Sequence, residues 1–102
     1  MEEFLQIVSA LNDATRVKML AFIERHGRVC VCDIENSFEM IQSRVSRHLK
    51  ILKDAGFLSV EREGRWAYFS LANLDESRES MLKQIRKLDI DLPPLVHNCK
   101  VS

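Results

Sequence analysis

The chain has 102 residues, of which 46% are hydrophobic, and its 15 Lys and Arg balance 15 Asp and Glu, so the formal net charge is zero. This length predicts one domain with a modest core. Dimerisation would bury additional apolar surface. No apolar run approaches the roughly 18 residues of a membrane span, and the acidic opening is unlike a signal peptide. We therefore expect a cytoplasmic protein with no membrane partner.

The charged residues are unevenly distributed along the chain. Residues 1–41 carry four Lys and Arg against seven Asp and Glu, whereas residues 42–65 carry six against three. A neutral total argues against a non-specific nucleic-acid binder. A local basic stretch can still neutralise phosphates, because counterion release depends on the cations that lie at the DNA. Any nucleic-acid contact is therefore expected in the middle of the chain.

Two helices are predicted at the start. Apolar residues at helical spacing predict a first helix over residues 3–11, with one stripe formed by Phe4, Val8 and Leu11. Asp13 is a good N-cap for the second helix, because its carboxylate can accept hydrogen bonds from the amides of the first turn. This second helix should cover residues 14–26 and end at Gly27. Its apolar residues cover most of its circumference, so we expect it at the centre of the core.

Cys30 and Cys32 are separated by one residue, and a short helical pattern follows them to about Met40. Three cysteines without an export signal predict free thiols rather than a disulfide framework. In an extended segment the spacing puts both sulfurs on one side, whereas in a helix it turns them about 200° apart. A soft ion that takes both thiolates should favour an extended backbone and oppose a helix that begins before Cys32. Two small buried residues are the alternative.

Residues 42–56 separate into two faces at helical spacing. The apolar face carries Val45, Leu49, Leu52 and Ala55. The opposite face is basic and rich in hydroxyl groups, with Ser43, Ser46, Arg47 and Lys50. Gly56 should end the helix, because a residue without a Cβ turns easily into the left-handed conformation. We expect one face on the core and the other available to a ligand.

The periodicity changes after Gly56 from helical to alternating. Residues 58–62 alternate, residues 66–71 are aromatic and strand-prone, and Glu63-Gly64 between them predicts a tight turn. This pattern predicts a β-hairpin with Arg62 and Arg65 at its tip. A hairpin directly after a basic helix, itself preceded by a short helix and a turn, is typical of a winged helix-turn-helix.

One more helix and a tail are predicted after the hairpin. The helix should cover residues 74–88, with apolar side chains at Leu74, Met81, Leu82, Ile85 and Leu88. Pro93-Pro94 forbids helix beyond it. We predict a DNA-binding and dimerisation domain over residues 1–92 and a C-terminal tail over residues 93–102.

Four segments in this order resemble the ArsR family of metal- and metalloid-responsive winged-helix repressors. They lie at residues 11–16, 29–34, 46–56 and 63–66, and the resemblance covers about residues 3 to 88. It implies an α+β fold, mostly α, with a two-stranded β-hairpin wing. It also implies a homodimer that binds double-stranded, palindromic operator DNA and leaves it when an inducer binds.

The segment Cys30-Val31-Cys32-Asp33 resembles the arsenite-binding motif of the family's arsenic-responsive branch, in which three thiolates usually surround the arsenic. The third cysteine of that motif would fall at Glu35, so Cys99 is the remaining candidate. The resemblance implies As(III) as inducer, either arsenite or an organoarsenical, at Cys30, Cys32 and Cys99. Cadmium or lead at thiolates stays open, because soft ligands choose soft ions without naming one.

Two contact surfaces are predicted from these helix faces and the resemblance. The residues expected to contact DNA are Gln42, Ser43, Arg44, Ser46, Arg47, His48, Lys50, Arg62 and Arg65. The first and last helices each carry an apolar stripe that one small domain cannot easily bury twice. The residues expected at the two-fold interface are Phe4, Val8, Leu11, Met81, Ile85 and Leu88.

Three other functions are the alternatives to an arsenic-responsive repressor. An enzyme is disfavoured, because the cysteines lack the C-x-x-C spacing of a redox pair and no other catalytic constellation is present. A thiol redox sensor would use Cys30 and Cys32 as a disulfide or sulfenate switch on the same DNA-binding domain. A constitutive or protein-binding module would leave both cysteines inert.

Overall fold

The computed structural model describes residues 1–97, and within them five helices and three strands are formed. The helices are α1 (Glu2–Leu11), α2 (Ala14–His26), α3 (Val31–Phe38), α4 (Gln42–Asp54) and α5 (Glu76–Arg86). The strands are β1 (Val29–Cys30), β2 (Leu58–Glu63) and β3 (Trp66–Leu71). This mostly helical α+β arrangement confirms the predicted winged helix-turn-helix. No helix in this part of the chain has the length and apolar character needed to cross a membrane.

The central helix is α2, as predicted. Its start is fixed by Asp13, whose carboxylate accepts hydrogen bonds from the backbone N–H groups of Thr15 (2.8 Å) and Arg16 (3.3 Å). Its end is fixed by Gly27, whose φ of 79° few other residues would adopt. Four of its side chains are buried in the core, namely Met19, Leu20, Phe22 and Ile23.

The recognition helix α4 packs against this core along one stripe. Four of its predicted apolar residues have no solvent exposure, namely Val45, Leu49, Leu52 and Ala55. Gly56 follows with a φ of 89°, which turns the chain away into β2. The predicted faces of α4 are confirmed on the buried side, and the opposite side is therefore directed to solvent.

The predicted two-stranded hairpin is formed by β2 and β3, and a third strand, β1, adds to it in the order β1-β3-β2. The additional strand pairs Val29 with Phe69 and Cys30 with Tyr68. Two residues are too few to show an alternating pattern, so the sequence could not reveal this strand. The hairpin register pairs Glu63 with Trp66, which makes the turn Gly64-Arg65 rather than Glu63-Gly64.

The last helix is shorter than predicted and spans Glu76–Arg86 instead of residues 74–88. Asp75 starts it as the N-cap, because its carboxylate accepts from the backbone N–H of Arg78 at 3.0 Å. Leu74 and Leu88 therefore lie outside the helix.

The segment after α5 has no regular secondary structure, in agreement with the prolines, yet it packs on the domain. Ile90 and Leu95 contact the core, on either side of the predicted boundary at residue 93. The backbone N–H of Val96 donates to Ser37 Oγ at 2.8 Å. His97 Nδ1 lies 3.1 Å from Asp33 Oδ1. Residues 89–97 therefore cross the domain and end against α3.

The Asp13 cap makes stability depend on pH. Burial alone would raise the pKa of the Asp13 carboxyl, but hydrogen bonds from the N–H groups of Arg16 and Thr15, with the Arg16 charge, lower it below its ordinary 3.8. A carboxyl with a lower pKa in the folded chain stabilises it fully above the unfolded pKa. That contribution is lost as the pH falls through the folded pKa.

Asp13→Ala should lower the free energy of unfolding by about 1 kcal/mol at neutral pH. Asp13→Asn is the matched control, because Asn caps a helix without titrating. The stability of the wild-type chain relative to Asp13→Asn should decrease as the pH drops below about 4, as measured by urea unfolding at a series of pH values. A difference that stays constant down to about pH 3 would contradict this account.

Candidate nucleic-acid interface and cysteine site

The solvent face of α4 presents most of the side chains predicted to contact DNA. Those that are exposed are Gln42, Ser43, Arg44, Ser46, Arg47 and Lys50. Arg62 and Arg65 are exposed on the hairpin beside it. The two elements enclose a groove of about 560 Å³, whose polar lining includes Gln42, Ser46, Lys50, Arg62 and Arg65. The structure thus brings the helix and wing parts of the predicted set to one groove, here called the basic groove.

Arg28 lies next to the hairpin and contacts both of its strands. Its guanidinium forms ion pairs with Glu61 (3.0 Å) and Glu63 on β2. It also stacks over Tyr68, with Cζ 3.8 Å from the ring centroid. These ion pairs are exposed and contribute little to stability. The Arg28 charge offsets only part of the negative charge of these two carboxylates on the strand that carries Arg62.

His48 differs from the other α4 residues predicted to contact DNA, because it is buried. The residue is only 5% exposed, on the inner flank of α4. Its Nδ1 lies 3.3 Å from Arg16 Nη1, and since a guanidinium can only donate, Nδ1 accepts and the ring is neutral. Burial lowers the pKa of His48, and the Arg16 charge lowers it further against the opposing charge of Asp13. His48 therefore joins α4 to the start of α2.

Two side chains from other helices bind the C-terminal carbonyls of α4. Gln6 Nε2 of α1 donates to the Asp54 carbonyl oxygen at 3.1 Å. Arg78 Nε of α5 donates to the Ala55 carbonyl oxygen at 2.6 Å. The Arg78 side chain is only 11% exposed and also pairs with Glu3 of α1. The helices predicted to dimerise thus satisfy acceptors that the last turn of α4 leaves without intrahelical donors.

The apolar residues predicted at a two-fold interface divide into two groups. Phe4 and Val8 on α1, and Leu88 after α5, are exposed large hydrophobic residues. Leu5 is exposed beside them and was missed by the sequence analysis. Leu11 and Met81 are partly buried and pack against the core of the same chain.

Ile85 is the member of that set which the chain buries in its own core. It is only 7% exposed, because α5 turns Leu82 and Ile85 together into the core. The apolar stripe of α5 packs on the core of its own chain, so Ile85 is not available to a partner chain.

The two cysteines lie at the start of α3. Cys30 ends β1, is 6% exposed and carries a free thiol. It is also the N-cap of α3: its sulfur accepts from the Asp33 backbone N–H, and Asp33 Oδ2 accepts from the Cys30 N–H at 3.2 Å. Cys32 lies in the first turn, with Asn36 Nδ2 3.7 Å from its sulfur. It is disulfide-bonded, so the expectation of free thiols is wrong for this residue. Cys30 and Cys32 both line the basic groove.

This arrangement differs from the extended segment that would place both sulfurs on one side. The helix begins at Val31, before Cys32, so the cysteines straddle a helix start. No group of three or more His, Cys, Asp or Glu side chains able to hold a metal ion occurs within residues 1–97. Cys99, predicted as the third ligand, lies outside the described residues.

Comparison with known proteins identifies the family. The sequence profile described as "Bacterial regulatory protein, arsR family" matches residues 13–60. The arsenical resistance operon repressor of Bacillus subtilis is 36% identical over 84 residues, which are 82% of this chain and 78% of that protein. The chain belongs to the arsR family. The resemblance predicted from four sequence segments is thereby confirmed.

Two other relatives are named for resistance to arsenic and to cadmium. The arsenic resistance regulator ArsR1 of Pseudomonas putida is 36% identical over 80 residues, which cover 78% of this chain but only 62% of that protein. The cadmium resistance regulatory protein CadC homolog of Staphylococcus aureus is 38% identical over 66 residues, 65% of this chain and 54% of that protein.

Solved structures agree on the fold. A homodimeric winged helix-turn-helix DNA-binding domain from Mycobacterium bovis superposes with a TM-score of 0.72 at 26% identity, covering 83% of this chain and 78% of that one. The antimony-specific transcriptional repressor AntR gives 0.67 at 26% identity, covering 81% of this chain and 73% of that one. HlyU from Vibrio cholerae gives 0.73 at 18% identity over 86% and 92% of the two chains, which shows the fold alone.

The contact between Gly56 and Arg78 generates a stability prediction for this ArsR-family chain. A Cβ added at Gly56 would lie 2.5 Å from Arg78 Nε, so the arginine would have to leave the Ala55 carbonyl. Gly64 is the matched control, because it also has a positive φ of 61° but nothing within 4 Å of the added Cβ. Gly64→Ala should cost about 1 to 2 kcal/mol for backbone strain. Gly56→Ala should cost at least about 1 kcal/mol more.

The additional cost of Gly56→Ala over Gly64→Ala should disappear when the Arg78 side chain is already absent. In the Arg78→Ala background, Gly56→Ala should cost no more than Gly64→Ala does, as measured by urea unfolding of the two single and the double variants. If Gly56→Ala costs the same free energy of unfolding in the wild-type and in the Arg78→Ala background, Arg78 does not hold the end of α4.

Proposed function

We propose that this chain is a homodimeric transcriptional repressor that binds double-stranded operator DNA and releases it when As(III) binds cysteine thiolates. The observation that carries this proposal is the shared groove: Cys30 and Cys32 line the same surface as the basic side chains of α4 and the hairpin. A ligand on these thiols would lie next to the groups that bind DNA. The names of the arsenic resistance relatives and of AntR support a metalloid as the inducer.

In the operator complex, α4 enters the major groove and the hairpin lies along the backbone. Ser43, Ser46, Arg47 and Lys50 face base edges, with Gln42 and Arg44 at the start of the helix. Arg62 and Arg65 contact phosphates or the adjacent minor groove. Such a protein acts in the cytoplasm, where the DNA is, and has no catalytic role.

The homodimer uses the exposed apolar residues of the first helix. Phe4, Leu5 and Val8 line the outer face of α1, and Leu88 follows α5. A second copy of the chain would remove them from water, with Leu11 and Met81 at the margin of the interface. The two recognition helices would then lie about 34 Å apart, one turn of DNA. The homodimeric relative from Mycobacterium bovis supports this assembly.

Induction acts on the start of α3. The step requires the disulfide at Cys32 to be reduced first by a cellular thiol, which supplies the two electrons. An arsenic atom that then takes the Cys30 and Cys32 thiolates removes the Cys30 sulfur from the Asp33 backbone N–H, and so uncaps the helix. Uncapping unwinds the first turn toward the extended backbone that two neighbouring thiolates need. Ile34 of α3 and Val45 of α4 share one core, so this change displaces the recognition helix. A coupling of about 1 to 3 kcal/mol is the usual size for such regulation.

Cys99 is proposed as the third thiolate. The chain is held at Ser37 and Asp33 up to His97, and these anchors lie on the helix whose start carries Cys30 and Cys32. One residue, Asn98, separates His97 from Cys99. The tail therefore needs little additional ordering to deliver a sulfur to the cysteine pair.

A second candidate function is a repressor of the same kind that responds to a different signal. The relative named for cadmium resistance supports Cd(II) or Pb(II) as inducer, since thiolates bind both. An oxidant acting on the Cys30 thiol is the redox form of the same candidate. Operator titrations with arsenite, with Cd(II) and with peroxide distinguish the three signals.

Arg47→Ala should weaken operator binding by about 1 to 3 kcal/mol per subunit, because a hydrogen-bonded contact to a base carries about that energy. Arg65→Ala should reduce the salt dependence of log K by about 1 for each phosphate that the protein no longer neutralises. Lys18→Ala, which removes an exposed cation of α2 outside the basic groove, serves as control. Titrations across salt in which Arg47→Ala and Arg65→Ala match the wild type would refute the DNA face.

Cys30→Ser and Cys32→Ser should bind operator like the wild type and fail to release it at arsenite concentrations that release the wild type. Cys99→Ser should lower the number of sulfurs around arsenic from three to two in K-edge absorption. Release of operator from Cys32→Ser at wild-type arsenite concentrations would rule out the thiolate mechanism. An unchanged sulfur count in Cys99→Ser would exclude the tail ligand only.

A further inference from the structure

Ile41 is an exposed apolar residue at the start of α4. The exposed large hydrophobic residues within residues 1–97 are Met1, Phe4, Leu5, Val8, Ile41 and Leu88. All except Ile41 lie at α1 or just after α5, where the proposed dimer would cover them. Ile41 is 66% exposed and directly precedes Gln42, the first residue of the recognition helix. The dimer interface therefore does not account for it.

The local structure does not require an isoleucine at this position. Ile41 is the N-cap of α4, and its side chain makes no capping hydrogen bond. Only its backbone carbonyl takes part, accepting from the N–H groups of Arg44 (3.2 Å) and Val45 (3.1 Å). Met40, the preceding residue, is the one that packs against the core. Ser, Thr, Asp or Asn would cap the helix better, so the isoleucine is unfavourable for folding.

We propose that the Ile41 side chain contacts the C5-methyl group of a thymine in each operator half-site. The inference rests on the proposed operator binding and deepens it by naming a base. N-terminal residues of a recognition helix are the ones that contact base edges. The thymine methyl is the apolar group that base pairs present in the major groove, and it is recognised by apolar side chains. The isoleucine side chain can neither donate nor accept a hydrogen bond. It therefore suits the thymine methyl group better than the polar edge of a base.

Replacing thymine by uracil tests this contact, because it removes the C5-methyl and leaves the Watson–Crick pair intact. The operator is first obtained by selecting random duplexes with the wild-type chain. It should contain a thymine at one symmetric position of each half-site. Uracil at that position should weaken wild-type binding by about four-fold per half-site, the value for one buried methyl group.

The variants separate a base contact from a folding effect. Ile41→Ser and Ile41→Ala should bind thymine and uracil operators equally, whereas Ile41→Val should keep most of the preference. Ile41→Ser should also raise Tm by about 4 to 8 °C, since serine supplies the missing cap. Weaker operator binding by a more stable variant cannot result from loss of structure.

The possible outcomes have distinct meanings. A uracil effect present in the wild type and absent in Ile41→Ser supports the contact. No uracil effect at any thymine, or the same effect in both proteins, overturns it while leaving the proposed repressor intact. Failure of the wild-type chain to select any DNA sequence overturns the proposed function and the Ile41 contact together.

Discussion

The rest of the structure depends on the burial of one stripe of α4. Val45, Leu49 and Leu52 have no solvent exposure, and burying each side chain contributes about 1.5 to 3 kcal/mol. A helix fixed along one side has its other side fixed as well, so the basic face needs no further positioning. Gln6 and Arg78 then hold the last carbonyls of the helix, which prevents it from sliding along its axis.

The cysteine segment belongs to two elements at once. Cys30 pairs with Tyr68 in the sheet and caps α3 through its sulfur. A change at this residue therefore reaches the hairpin through backbone hydrogen bonds and α4 through the packing of α3. The hydrophobic core is close-packed and transmits displacement rather than absorbing it. One small ligand could in this way disturb both parts of a DNA-binding surface.

The long periodic elements could be predicted from sequence because their patterns are local. The boundaries of α2, the Asp13 cap and the buried stripe of α4 all followed from spacing and residue type. The remaining features depend on non-local contacts. Strand β1 exists because β3 lies beside it. His48 is buried because Arg16 approaches from another helix. The tail anchors at Ser37 and Asp33 join residues about sixty positions apart, which no local pattern records.

The two oxygens of the Asp33 carboxylate contact distant parts of the chain. Oδ2 accepts from the Cys30 N–H, and Oδ1 lies 3.1 Å from His97 Nδ1, which places the imidazole proton on that nitrogen. The Asp33 carboxylate thus connects the segment that follows α5 to the start of α3. A purification tag or fusion partner joined just beyond His97 would lie near the start of α3, and one joined before α1 would lie near the exposed apolar residues Phe4, Leu5 and Val8. Handling of the protein in the laboratory therefore requires a tag that is cleaved before binding is measured.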